Sequence, residues 1–281
     1  MLYKYNLMPR IILRAAKLVT LPSHSTVMKR TVIILILCLT ASVCTYAWGP
    51  TGHRATGLVA EKHLTKKAKK ALEQLLGGQS LAMASTWMDD IRSDSTFDYM
   101  ADWHWVTIQD GESYEQSTKN PNGDVIQTLE RVIQELKSGK LSAADQAQRV
   151  KILIHLVGDL HMPLHVGGGA DRGGNDIRVT WFRTDSNLHR VWDSDMIDDT
   201  RLSFTELAES LDKPDAAAIQ KLQSTGVRDW AKESMGYRAQ VYAYGDGRLG
   251  YKYSYKNLPT VRTRILEAGI RLAGILNEIY K

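Results

Sequence analysis

The stretch HLVGDLHMPLH, His155 to His165, constrains the fold more than any other part of the chain. Leu153, Leu156, Val157 and Leu160 recur at helical spacing and predict a core-facing stripe. His155 and Asp159 are four residues apart, so they share a different helix face, about 40° apart around the axis. Pro163 predicts the end of that helix and leaves His165 on the loop beyond it. A lone His-x-x-x-Asp also describes a surface ion pair. Three histidines and an aspartate at an otherwise apolar helix end are harder to explain by structure alone. A histidine and a carboxylate at that spacing can grip one metal ion, and His165 can point to a second.

Four further segments carry the same chemistry. His189 and Asp193 repeat the four-residue spacing in NLHRVWDSD. Asp89, Asp90 and Arg92 follow Trp87 in STWMDDIRSD, and His104 stands between two tryptophans in DWHWVTI. His53 closes the stretch WGPTGH. His53, His104, His155, His165 and His189 are the first-choice ligands. His161, at a helix end, is expected to orient a ligand rather than to bind metal. His63, on an ordinary amphipathic helix, reads as structural. Imidazole and carboxylate without thiolate suit zinc in a hydrolytic site, where one position stays open for water.

No thiolate is available because both cysteines, Cys38 and Cys44, fall in the first 47 residues. That segment has the order of a secretory signal: Lys29 and Arg30, the apolar run Thr31 to Val43, then Thr45 and Ala47 at the positions a signal peptidase reads. The apolar run is shorter than the roughly 20 residues a spanning helix needs. Residues 1–47 are therefore read as a leader, with the signal peptide at 28–47 and cleavage after Ala47. Met28 offers a start for it, and Met1 to Val27 would then be an upstream extension. The protein is expected to be exported, periplasmic or secreted, with no membrane attachment after cleavage. The leader also carries six of the 36 basic residues and no acidic one, leaving 30 basic against 31 acidic residues, a net charge of −1. A strongly basic nucleic-acid-binding surface is not supported by net charge.

The rest of the chain is of a size for one domain, 48–281, and reads as mostly helical. Thr65 caps a helix through Leu76 that stops at Gly77-Gly78, Ser142 with Asp145 opens the helix to about His161, and Ser203 with Glu206 opens another. Ile265, Ala268, Leu272, Leu276 and Ile279 mark a core-packing last helix. Ser95 to Asn122 reads as a long polar and aromatic connection. His165 to Asp198 is Gly-rich and then alternates through Ile177, Val179 and Trp181, which predicts a short hairpin.

Taken together, Trp-Gly-x-x-Gly-His from Trp48, Trp-x-Asp-x-x-Arg, His-aromatic, His-x-x-x-Asp-x-His-x-Pro-Leu-His, Gly-Gly-Asn and Asn-Leu-His-x-x-Trp-Asp resemble the S1/P1-type nucleases, over Trp48 to Lys281 and in family order. The resemblance implies a mostly α-helical single domain, of the fold shared by P1 nuclease and the zinc phospholipases C, with a short β-hairpin. It implies three zinc ions. Asp89, His104, His155 and Asp159 would hold one. The α-amino group and carbonyl of Trp48, His53 and again Asp159 would hold a second. His165, His189 and Asp193 would hold the third. Arg92 corresponds to the family arginine that neutralises phosphate, and Trp105 to the aromatic that stacks on an unpaired base. Gly173, Gly174 and Asn175 correspond to the loop beside the base pocket.

The activity so implied is hydrolysis of single-stranded DNA and RNA to 5′-phosphorylated products, with 3′-mononucleotides also cleaved, by a monomer with no stable protein partner. Thr107 stands where a carboxylate is expected in fungal members. The absence of cysteines after residue 47, and of Asn-x-Ser/Thr sequons, points to a bacterial-type member. A zinc phospholipase C is the alternative within enzymes. A zinc-storage protein is the alternative outside them, and it leaves Arg92 and Trp105 without a role.

Overall fold

A computed structural model describes residues 48–211 and 213–281. The leader, its cleavage point and both cysteines lie outside the described residues. The fold is mostly helical. α1 spans Pro50–Lys62, α2 Lys66–Leu75, α3 Val125–Lys137, α4 Ala143–His161, α5 Phe204–Glu209, α6 Ala216–Gln223, α7 Val227–Gly236 and α8 Tyr251–Ile279. Short helical turns join them. β1 (Val106–Thr107) and β2 (Val166–Gly167) pair in parallel, while β4 (Thr184–Asn187), β3 (Arg178–Trp181) and β5 (Arg248–Leu249) form a second small sheet in that order. β3 and β4 are the predicted hairpin, antiparallel with Arg178 opposite Asn187 and Trp181 opposite Thr184.

Local chemistry fixes the ends of these elements. Thr65 accepts a hydrogen bond from the Ala68 N–H at the start of α2, and Ser142 accepts one from the Asp145 N–H at the start of α4. Ser203 and Glu206 cap α5 reciprocally. Pro50 occupies the first turn of α1, where its missing N–H costs nothing.

α4 is the axis of the molecule. From Val150 to His161 almost every side chain is buried, not only the stripe that the periodicity marks. A helix apolar around most of its circumference must be surrounded. Ile126, Leu129 and Val132 of α3 and Ala268, Leu272 and Leu276 of α8 pack in the same core as its leucines. A second cluster gathers Trp48, Val59, Trp192, Met196, Val261 and Ile265. There the Trp192 indole N–H donates to the Tyr253 hydroxyl at 2.7 Å, which donates in turn to the Val241 carbonyl at 2.6 Å. The turn that carries Asp193 is thereby tied to α8.

Two expectations change. Ser95 to Asn122 is not a plain connection, since Ser95–His104 forms a run of 3₁₀ helix that delivers His104 to the interior. Asp124 then caps α3 and accepts the Tyr114 hydroxyl at 3.0 Å, which pins the remaining loop. His161 does not serve the ligands of the predicted metal site. Its Nδ1 donates to the Val157 carbonyl at 2.7 Å, and its Nε2 accepts from Arg271 at 2.9 Å. Arg271 is paired with Glu233 of α7, and Arg264 donates to the His161 carbonyl. These cations satisfy the C-terminal end of α4, where carbonyls lack helical partners. The sequence position of His161 at a helix end is therefore explained by the helix end itself.

Candidate metal centre and adjoining pocket

Asp159 lies at the middle of the site. It is fully buried on α4, and its two oxygens face different partners. Oδ1 is 3.3 Å from His53 Nε2, while Oδ2 is 3.0 Å from His104 Nδ1 and 3.4 Å from His155 Nε2. His53 comes from α1, one turn after Trp48. His104 comes from the end of the 3₁₀ run. The His53 and His155 rings stack at 3.9 Å between centroids, and His104 meets His155 edge-on. Asp89, on the short helix Trp87–Asp90, has its Oδ1 3.9 Å from His155 Nε2. The neighbouring Asp90 is turned outward and bonded to the Thr86 hydroxyl, which decides between the two acids of that motif. Arg92 reaches Asp89 at 3.6 Å.

Among the described residues, donor atoms lie within 4.8 Å of one another inside each of three sets: His53, Asp89 and His155; His104, His155 and Asp159; His165, His189 and Asp193. The third set joins the loop after Pro163 to the short helix Leu188–Arg190 and the π-helical turn Val191–Asp195. Every first-choice histidine of the sequence and all three aspartates assigned as ligands are thus brought together. Trp48 is buried beside them, and the Gly49 N–H donates to the Asp193 carbonyl at 2.8 Å.

Backbone carbonyls orient three of the imidazoles. His155 Nδ1 donates to Ser85 O at 2.7 Å, His165 Nδ1 to His104 O at 2.6 Å, and His189 Nδ1 to Gly173 O at 2.8 Å. Each bond fixes the proton on Nδ1 and leaves Nε2 as the nitrogen that carries a lone pair. The electrostatics are those of a site built for a cation. Burial pushes His53, His104 and His165 far below the ordinary histidine range and His155 to about 3, so they stay neutral. Burial pushes Asp89 up to about 7, and raises Asp159 and Asp193 well above the carboxylate range with help from neighbouring acids. Among the described residues, both ring nitrogens of His53, both oxygens of Asp89, and Asp159 Oδ1, His165 Nε2 and Asp193 Oδ1 are buried without a hydrogen-bond partner. Buried polar atoms are rarely left so. Lone pairs converging from neutral imidazoles and carboxylates fit a metal ion of the zinc type.

A pocket of about 390 Å³ opens beside the cluster, lined by His104, His165 and His189 together with Arg92, Trp105, Thr107, Gly173 and Asn175. Its floor includes the paired strands, with Val106 opposite Val166 and Thr107 opposite Gly167. Trp105 is 40% exposed there, whereas Trp103 is packed in the core with its indole N–H on Asn122 O. The end of the 3₁₀ run separates the two tryptophans: Trp103 lies within it, and Trp105 is the extended residue that follows. Gly174 is not on the pocket wall. It packs behind it, against Leu164 and Leu188. Asp102 and Arg172 also line the pocket and were not marked by any motif.

A buried cluster of three candidate donor sets, with a cationic and aromatic pocket at its edge, suits a hydrolase of phosphate esters. The pattern described as S1/P1 Nuclease matches residues 48–281, and the chain belongs to that family. It is 27% identical to Endonuclease 2 of Arabidopsis thaliana over 289 residues, covering 88% of this chain and 96% of that relative. It is 25% identical to Nuclease S1 of Aspergillus oryzae, covering 90% and 98%, and 26% identical to Nuclease P1 of Penicillium citrinum, covering 83% and 98%.

Gly158 stands next to Asp159, and a Cβ there would come within 2.9 Å of His53 Nδ1. Gly158→Ala is expected to keep the helix, since alanine favours it, but to lower the metal bound per chain by displacing His53. Circular dichroism and elemental analysis check both parts. A metal entering the cluster below about pH 7 must displace the proton of Asp89, while the histidines offer no competing proton. Its apparent affinity is therefore expected to fall as pH drops from about 8 to about 6, as read by competition with a chelating dye.

Proposed function

We propose that this chain is an exported, zinc-dependent endonuclease. It would hydrolyse phosphodiester bonds of single-stranded DNA and RNA to 5′-phosphorylated products, and cleave 3′-mononucleotides as well. The observation that carries this reading is that one set of side chains serves two surfaces: His104, His165 and His189 belong both to the buried donor cluster and to the wall of the pocket that exposes Trp105.

On this reading the site takes three zinc ions. Asp89, His104, His155 and Asp159 would hold one. His53, the other oxygen of Asp159, and the α-amino group and carbonyl of Trp48 would hold the second. His165, His189 and Asp193 would hold the third. The chemistry such ions supply is activation of water near neutral pH and neutralisation of charge on a phosphate. The protein's own groups do the rest. Arg92, one turn from Asp89, offers a planar guanidinium to the phosphate oxygens. Trp105 offers a face on which an unpaired base stacks; a base in a duplex would first have to unstack. Gly173 and Asn175 shape the wall, and Thr107, without charge, leaves the choice of base to other groups.

Residues 1–47 would direct export, to the periplasm or the medium, and be removed after Ala47. No helix among the described residues is long and apolar enough to cross a membrane, and the family match begins at Trp48. Trp48 can act through its nitrogen only as the first residue, because a peptide nitrogen is not an amine ligand.

Zinc-loaded protein is expected to release acid-soluble nucleotides from denatured DNA and no phosphocholine from lecithin. The reverse result would assign a phospholipase C, and hydrolysis of neither would assign metal storage. A form processed one residue before Trp48 is expected to bind one zinc fewer and to lose most activity. Full stoichiometry and rate in that form would remove Trp48 from the ligand set.

A further inference from the structure

Gly167 to Asn175 holds five glycines in nine residues, and Gly169, Gly173 and Gly174 take positive φ; Arg172 does so as well, with φ +53°, although it carries a Cβ. A side chain with a Cβ is strained in that region, and such strain persists only where its surroundings fix it. The surroundings do so. Asp171 accepts the Gly174 N–H at 3.1 Å and the Tyr242 hydroxyl at 2.7 Å, and the Arg172 carbonyl accepts the Asn175 side-chain amide at 2.9 Å. One N–H of the Asn175 side-chain amide is therefore engaged in holding Arg172. The guanidinium gains little in return within the protein. It makes one exposed ion pair with Asp176 at 3.6 Å, and exposed pairs of that kind contribute little. What the conformation does achieve is to put Arg172 on the wall of the pocket, on a different segment from Arg92. Arg92 faces Asp89 of the donor cluster; the ion-pair partner of Arg172 lies outside that cluster.

We infer that Arg172 binds a second phosphate, the one adjoining the scissile phosphate in a polynucleotide, and so selects polynucleotides over mononucleotides. This rests on the nuclease reading above. A 3′-mononucleotide has a single phosphate, and the donor cluster with Arg92 accounts for it. A single strand brings a further anion out of the same pocket, and a guanidinium that is exposed but held by a fixed backbone meets it at little cost in ordering.

The test is Arg172→Gly and Arg172→Lys in the zinc-loaded protein, with a single-stranded oligonucleotide and a 3′-mononucleotide as substrates. Arg172→Gly relieves the backbone, so its melting temperature should not fall. The ratio of kcat/KM for oligonucleotide to that for mononucleotide is expected to drop about tenfold, mainly through KM. The slope of log(kcat/KM) against log salt for the oligonucleotide should weaken by about 0.7, the value for one contact to a single strand. Arg172→Lys should keep most of the slope. An unchanged ratio and slope in Arg172→Gly would overturn the inference. A wild-type protein that cleaves neither substrate would instead overturn the nuclease reading itself.

Discussion

A carboxylate buried among imidazoles is the constraint on which the rest of this structure depends. Asp159 is enclosed by three imidazoles that burial keeps neutral. Ionised and alone it would be costly, and protonated it would have little reason to be there. Its need for positive charge explains why α4 runs through the middle of the fold, and why four other segments bring their own lone pairs to the same place. A well-packed core of leucines would have been the easier solution for a helix in that position. The fold instead surrounds a polar centre with apolar walls, which raises the strength of every electrostatic interaction inside it.

Much of this was legible in the sequence, for identifiable reasons. Side chains four apart on one helix are fixed by geometry, so His155 with Asp159 could be read as a pair. His189 with Asp193 could be read the same way, although the actual backbone there is a π-helical turn. Helix starts at Thr65, Ser142 and Ser203 were legible because a cap is a local hydrogen bond. The convergence of His53, Asp89 and His104 on Asp159 is not local. It came from the family resemblance rather than from the residues, since nothing in a stretch such as DWHWVTI states which helix it will meet.

The misreadings have the same origin. His161 looked like a partner of the site because it stands at the end of the helix that carries two ligands. In space it turns away, toward Arg271 and the end of its own helix. Gly174 was grouped with Gly173 and Asn175 as one loop, but successive residues of a tight turn face different ways, and only its neighbours reach the pocket. Arg172 carried no signal at all. Its distinguishing property is a dihedral angle, and a dihedral angle leaves no mark on residue type when the residue that adopts it is not glycine. Three of the glycines around it, Gly169, Gly173 and Gly174, share its positive φ, so residue type alone did not mark position 172 as a fourth.

The hydrogen bond from His165 to the carbonyl of His104 joins two donor sets that are otherwise separate. His104 faces Asp159 with its ring and His165 with its backbone, so neither histidine can shift without the other. The two sets form one mechanical unit with a shared strut. A metal held by either set would stiffen the frame of its neighbour, so that a first ion would partly organise the chain for the next. Metal loading of such a centre would then be cooperative, with half-filled forms of the protein scarce at equilibrium.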